Sequence, residues 1–352
     1  MSIEKIADLL LKQAIQLTAT DIHITPRKHN YHIQFRLHGL LTTIQSIPFQ
    51  AGERLISHLK FMSSIDISEK RKPQSGSFEL NLNNQLIALR ISTLPTTLAK
   101  ESLVIRILPQ DHSFILEKMS LFPSTSPILK SFMLHAHGML IFTGPTGSGK
   151  STTMYAVAEH CAGTLNRRVV TLEDPVEKQS DMLLQVQLND KAGITYSTGL
   201  KAILRHDPDV IIIGEIRDAE TAHIAIRAAL TGHLVLTSLH TRDAKGAIYR
   251  LLEFGVKLQD IEQTLIGIMA QRLIALLCPL CGESCSKFCT RRVAKRTGVY
   301  EILYGQALVG ALEESKGGKE VYHYPLIKDL IRKGIALGYV PVEEYKHWVL
   351  EE

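Results

Sequence analysis

Residues 138–152 read "GMLIFTGPTGSGKST", and this stretch decides the fold. The first part is apolar and strand-like. "GPTGSGKST" at 144–152 then fits G-x-x-x-x-G-K-[ST], and "KSTTMYAVAEHC" from 150 reads as a helix. A strand, a glycine loop and a helix in that order let successive backbone amides curl into a cup for phosphates. The positive end of the helix faces the same cup. Gly144, Pro145, Thr146, Gly147, Ser148, Gly149, Lys150, Ser151 and Thr152 therefore form a candidate nucleotide cradle. In it Lys150 reaches toward the β- and γ-phosphates, and the Ser151 hydroxyl is placed to ligate Mg²⁺.

The pattern continues on the C-terminal side. "RVVTLED", "DVIIIGE" and "HLVLTSLH" read as strands, separated by the helical stretches "YSTGLKAILRH" and "AETAHIAIRAAL". Alternating helices and fully apolar strands predict a mostly parallel sheet with helices on both faces. On the N-terminal side the texture differs. "MSIEKIADLLLKQAIQL" carries apolar residues at helical spacing (Ile3, Ile6, Ala7, Leu10, Leu11, Ala14). Short β-rich runs follow ("DIHIT", "YHIQFRL", "LTTIQSI"), with a turn at His38-Gly39. A helical stretch near 50–63 comes next, then "GSFELNLNNQLIALRIS", in which Asn83-Asn84 suits a hairpin turn, and "SLVIRIL". The expected organisation is an α+β domain over 1–108, a Pro- and Ser-rich linker over 109–127, and an α/β domain over 128–352.

A phosphate cradle hydrolyses little unless acidic groups position metal and water. "DVIIIGE" ends in Glu215 and "VVTLEDPVE" brings Glu173 and Asp174 to another strand end. In an open parallel sheet those ends lie beside the phosphate loop, so Glu215 is a candidate for the magnesium shell or for orienting water, with Glu173 beside it. Among fifteen histidines, His240 is distinguished by its place at the C-terminal end of a strand, where a γ-phosphate would lie.

Composition narrows the class. The chain has 352 residues, 45% hydrophobic and 21% charged, which suits a soluble globular protein of about two domains. A net charge of +5 selects neither nucleic acid nor an acidic membrane as neighbour. Glu4 and Asp8 interrupt the first helix, arguing against a signal peptide, and no apolar run is long enough to span a bilayer. A cytoplasmic location with reduced thiols is expected.

Four segments, "GPTGSGKST", "TLEDPVE", "LRHDPDVIIIGEIRDAET" and "AALTGHLVLTSLHTRDA", resemble in order the Walker A, Asp-box, Walker B and His-box segments of one family. It is that of the secretion ATPases of type II secretion systems and type IV pili. The resemblance extends through "DIHI", "FRLHG", "RKPQSGSF" and "RISTLP", so it covers nearly the whole chain. It implies a RecA-like P-loop ATPase domain with a smaller N-terminal α+β (PAS-like) domain, hydrolysing ATP with Mg²⁺ in a homo-hexamer. By the same resemblance Glu173 polarises the attacking water, Glu215 holds the Mg²⁺ shell and His240 senses the γ-phosphate. Arg90 in "ALRIS" and Arg106 in "VIRIL" approach that phosphate from the N-terminal domain. The implied partner is a polytopic inner-membrane platform protein, with the motor peripheral at the inner face of the membrane.

Within the family, "IMAQRLIALLCPLCGE" resembles the filament-assembly branch, because retraction motors generally lack those cysteines. The short start before "DIHI" resembles the ATPases that drive competence pseudopilus formation for DNA uptake. Retraction and type II secretion are the alternatives inside the family. Residues 278–289, "CPLCGESCSKFC", hold four of the five cysteines. The spacing departs from the family's two C-x-x-C units. Four thiolates suit a tetrahedral structural zinc, with Cys285 and Cys289 on one helix face opposite a Cys278–Cys281 knuckle. Unligated thiols and an iron–sulfur cluster stay open as alternatives.

Other classes fit less well. A P-loop kinase lacks its Arg-rich acceptor lid here, and a GTPase would carry N-K-x-D. A DNA translocase would show a basic stretch interleaved with aromatics, so no direct nucleic-acid contact is expected.

Overall fold

The computed structural model describes residues 2–37, 39–82, 85–97, 100–109, 115–189, 192–282, 285, 289, 296–318 and 322–350. Two compact units emerge, one built on residues up to 109 and the other on 115–282 and 296–350.

The first unit begins with α1 (Ile3–Gln16), whose Ala7, Leu10, Leu11 and Ala14 are buried along the expected stripe. Then come β1 (Asp21–Pro26), β2 (Tyr31–Leu37), β3 (Leu40–Ile47), α2 (Phe49–Met62), β4 (Gln74–Leu82), β5 (Gln85–Pro95) and β6 (Glu101–Pro109). The strands form an antiparallel sheet in the order β3-β2-β1-β6-β5-β4. Ile22, Ile24, Ile33, Phe35, Leu103 and Ile105 pack in one core with α1 and with Leu55, Ile56 and Leu59 of α2. Strand alternation therefore turns Asp21, Arg36 and Arg106 away from that core. This is the small PAS-like α+β unit that the sequence predicts. The Asn83-Asn84 turn and His38 lie outside the described residues.

Residues 110–114 of the stretch read as a linker are also outside the description. Further along it, Leu116–Lys118 forms a 3₁₀ turn with Leu116 buried, and α3 (Thr125–Phe132) has begun. Leu116, Leu129 and Phe132 pack into the second unit's core.

The second unit continues with β7 (Gly138–Thr143), α4 (Lys150–Gly163), β8 (Val169–Glu173), β9 (Leu184–Gln187), α5 (Tyr196–Ile203) and β10 (Val210–Ile213). After these come α6 (Ala219–Leu230), β11 (Leu234–Leu239), α7 (Ala244–Glu253), α8 (Leu258–Thr264), β12 (Leu265–Ala275), β13 (Arg296–Tyr304), α9 (Gly305–Ser315) and α10 (Ile327–Ala336). The sheet order is β13-β12-β7-β11-β10-β8-β9, parallel throughout except for the β12–β13 hairpin.

Strand β10 explains the layering. Its four residues are fully buried, each contributing about 1.5–3 kcal/mol relative to exposure. Ile211 and Ile213 join the core that includes Ala222 and Ile226 of α6, while Val210 and Ile212 join the core that includes Val157 of α4. An apolar run without alternation thus faces helices on both sides. β9 and β12 are not among the strands expected from the sequence. No helix among the described residues is long and apolar enough to cross a membrane.

Candidate functional site

The glycine loop leaves β7 at Thr143 and enters α4 at Lys150. Gly144 and Gly149 have φ of +141° and +89°, in the region that favours glycine. Space is equally restrictive. A Cβ on Gly144 would meet the Gln271 carbonyl oxygen at 2.5 Å, and one on Gly149 would meet Gln271 Nε2 at 2.7 Å. Lys150 is buried, and its Nζ donates to the carbonyls of Gly144 (2.8 Å) and Pro145 (3.1 Å). Burial pushes the ammonium pKa down, and the Glu215 carboxylate opposes the shift. The Ser148 hydroxyl is buried without a hydrogen-bond partner among the described residues. A lysine turned onto oxygen acceptors and an orphaned hydroxyl within the loop fit the oxygens of a phosphate chain.

Two strand ends supply the acids. Glu173 ends β8 and is 6% exposed. Thr171 donates to its Oε1 (2.6 Å) and Tyr155, from α4, to its Oε2 (2.6 Å). Burial nevertheless raises the carboxyl pKa above its ordinary value, against the pull of those donors. Glu215 follows β10 and is less enclosed. Arg217 Nε donates to Glu215 Oε1 (2.6 Å), and the same guanidinium reaches Asp174 Oδ2 (3.4 Å). Because β10 and β11 are neighbours, His240 at the end of β11 brings Nε2 to 3.3 Å from Glu215 Oε2. The sheet thus gathers the cradle, both acids and His240 at its C-terminal edge. Ser151, the second residue of α4, and Glu215, two residues beyond β10, carry oxygen donors of the kind that suit Mg²⁺.

A family model described as "Type II/IV secretion system protein" matches residues 1–346. The chain belongs to that family. It is an ATPase. It is 55% identical to "Competence protein ComGA" of Bacillus subtilis (strain 168), over the whole of this chain and 99% of the relative. Identity to the ComGA of Halalkalibacterium halodurans is 46%, over 97% of both. With "Putative type II secretion system protein E" of Escherichia coli (strain K12) it is 42%, over 79% of this chain and 56% of that one. In fold the chain is similar to the Legionella pneumophila ATPase DotB (TM-score 0.75, 22% identity, 98% and 95% covered). It is also similar to the pilus retraction motor PilT (TM-score 0.68, 24% identity, 96% and 95% covered).

In this secretion ATPase several supporting residues had no role assigned from the sequence. Tyr155 lies five positions beyond Lys150 in α4 and carries no motif signature of its own. Thr153 Oγ1, with one proton to give, lies within hydrogen-bond distance of two acceptors, Gln271 Oε1 (3.0 Å) and the Gly149 carbonyl (3.2 Å), and 3.2 Å from the Tyr300 hydroxyl. The β12–β13 hairpin therefore props the cradle from beneath. Arg272 donates to the Arg242 carbonyl, and Glu301 accepts from the amides of Ala244 (3.0 Å) and Ile327 (3.0 Å). These contacts anchor the segment that follows His240. "AQRL" drew attention in the sequence only as a branch marker.

Arg90 and Arg106 belong to the first unit, where they sit directly opposite each other on β5 and β6. The four thiol sulfurs of Cys278, Cys281, Cys285 and Cys289 lie within 4.8 Å of one another. A tetrahedron with Zn–S bonds of 2.3 Å has edges of ~3.8 Å, so this donor set fits a soft divalent metal. Gly282 N donates to Cys278 O (2.8 Å), closing a turn that contains Cys281. Neither Cys285 nor Cys289 is helical, so the single helix face anticipated for that pair is not what brings it to the others.

Proposed function

We propose that this chain is the ATP-hydrolysing, homo-hexameric motor that assembles a competence pseudopilus for DNA uptake, working from the cytoplasmic face on an inner-membrane platform protein. The observation that carries the chemistry is the cluster of Lys150, Glu173, Glu215 and His240 at one sheet edge. Full-length similarity to two competence proteins supports the biological role.

Magnesium-bound ATP would supply the electrophilic phosphorus and the neutralising charge. Lys150 and the loop amides bind the phosphate chain, and Ser151 with Glu215 would hold the metal. Glu173 takes the proton of the attacking water. Burial, outweighing the pull of its hydroxyl donors, leaves it more basic than an ordinary carboxylate, which suits that task. His240, in contact with Glu215, reports the γ-phosphate. Arg90 and Arg106 reach the same phosphate from the first unit of a neighbouring subunit, so hydrolysis is coupled to closure of the ring. The four thiols hold a structural zinc, since four protein ligands leave no open position.

Deleting the gene tests the biological assignment. Loss of filaments and of transformation is expected; excess filaments would instead mean a retraction motor. The 42% identity to a type II secretion protein favours one second reading, secretion. Normal DNA uptake with failed export of folded proteins would establish it.

A further inference from the structure

The open face of the first unit's sheet carries a charged row set by strand register. Arg90 on β5 opposes Arg106 on β6, Arg106 opposes Asp21 on β1, and Asp21 opposes Arg36 on β2. Three guanidiniums meet one carboxylate, leaving an excess of two positive charges in the row. Like charges directly opposite destabilise an antiparallel pair, so folding alone gives no reason for Arg90 beside Arg106.

Asp21 is the fixed member. Its side chain is 9% exposed, against 61% for Arg106 and 40% for Arg36. The Thr20 hydroxyl donates to Oδ2 (2.9 Å), Arg106 Nε donates to Oδ1 (3.0 Å), and Arg36 Nε lies 3.7 Å from Oδ2. The contact to Arg106 is made at Nε. Its two terminal nitrogens, the fork that grips phosphate, make no hydrogen bond among the described residues. A carboxylate meant to hold the arginine back would engage that fork. One bonded at Nε orients the fork outward instead.

We infer that Asp21 is the positioning residue of Arg106: anchored by Thr20, it aims the guanidinium fork at the phosphates of a nucleotide bound by a second copy of this chain. The inference rests on the reading of Arg106 given above. Asp21 itself touches no substrate, and its effect passes wholly through the arginine.

The test is steady-state ATP hydrolysis by the assembled full-length protein carrying Asp21→Asn, Arg106→Ala or both. Asp21→Asn should lower kcat about tenfold with KM within twofold, because a misaimed group loses rate before affinity. In the Arg106→Ala background it should add no further loss. Asp21→Glu keeps the charge and should retain more activity than Asp21→Asn. If Asp21→Asn fails to fold, Asp21→Glu alone decides: it must lower kcat and show the same non-additivity. Wild-type or raised kcat for Asp21→Asn while Arg106→Ala is impaired overturns the inference and leaves Arg106 in place. Losses that multiply in the double variant make Asp21 merely structural. An unimpaired Arg106→Ala removes the reading of Arg106 and the inference together.

Discussion

Glu173 in the second unit and Asp21 in the first are both nearly buried carboxylates at a sheet, but their partners differ in kind. Glu173 is met by two neutral hydroxyls, those of Thr171 and Tyr155. Asp21 is met by one hydroxyl and two guanidiniums on side chains that are themselves partly exposed. Burial keeps Glu173 ready for a proton even against its two hydroxyl donors. The guanidiniums at Asp21 meet the carboxylate charge directly, and the contact fixes their own orientation. One arrangement suits chemistry at the carboxylate, and the other suits chemistry at its partner.

The largest expected effect removes the cradle. Lys150→Ala should reduce ATP turnover at least ~100-fold, measured as phosphate release, because the buried cation at the phosphates has no substitute. Undiminished turnover would dissolve one side of the comparison.

Next comes Arg106→Ala. Losing a cation that meets transition-state charge should cost kcat about 10- to 100-fold, with nucleotide affinity nearly unchanged. Mixing this variant with Lys150→Ala should restore turnover if each protein supplies the part that the other lacks. Mixtures no better than their components would remove the trans role.

Glu173→Gln separates stability from activity. In the folded chain the Glu173 carboxyl keeps its proton to higher pH than when unfolded. Its contribution is most favourable below the unfolded value and is lost as pH rises through the raised folded value. At neutral pH the substitution should therefore abolish hydrolysis yet raise Tm, and that gain should shrink on acidification. The acidic limb of the wild-type kcat profile should fall above the ordinary carboxylate range. A variant less stable than wild type at neutral pH would mean that Glu173 is a structural anion.

The smallest effect belongs to the prop beneath the loop. Tyr300→Phe removes one hydroxyl facing Thr153, costing about 1 kcal/mol of stability and raising the nucleotide Kd a few-fold. Metal analysis of the purified protein completes the set. About one zinc per chain is expected, and its removal with a chelator should lower Tm before it lowers kcat.

Much of this site was legible in the sequence because its signals are local. The cradle needs particular backbone angles within nine residues, so glycines mark it directly. Glu173, Glu215 and His240 were found because strand ends of a parallel sheet share an edge. The supporting residues were not legible, since a tyrosine in α4 or a glutamine in β12 looks like ordinary core. The Cys285–Cys289 spacing misled because sequence spacing marks proximity only where a helix forms.

By itself, then, the sequence determined the layer order, the cradle and the acids, which follow from backbone preference and apolar periodicity over short distances. Only the tertiary structure decided the partners. Thr153 meets Gln271 across 118 positions, and Arg106 meets Asp21 across 85. Such pairs are set by strand order and register, to which every strand between them contributes, and no single stretch of residues carries that information.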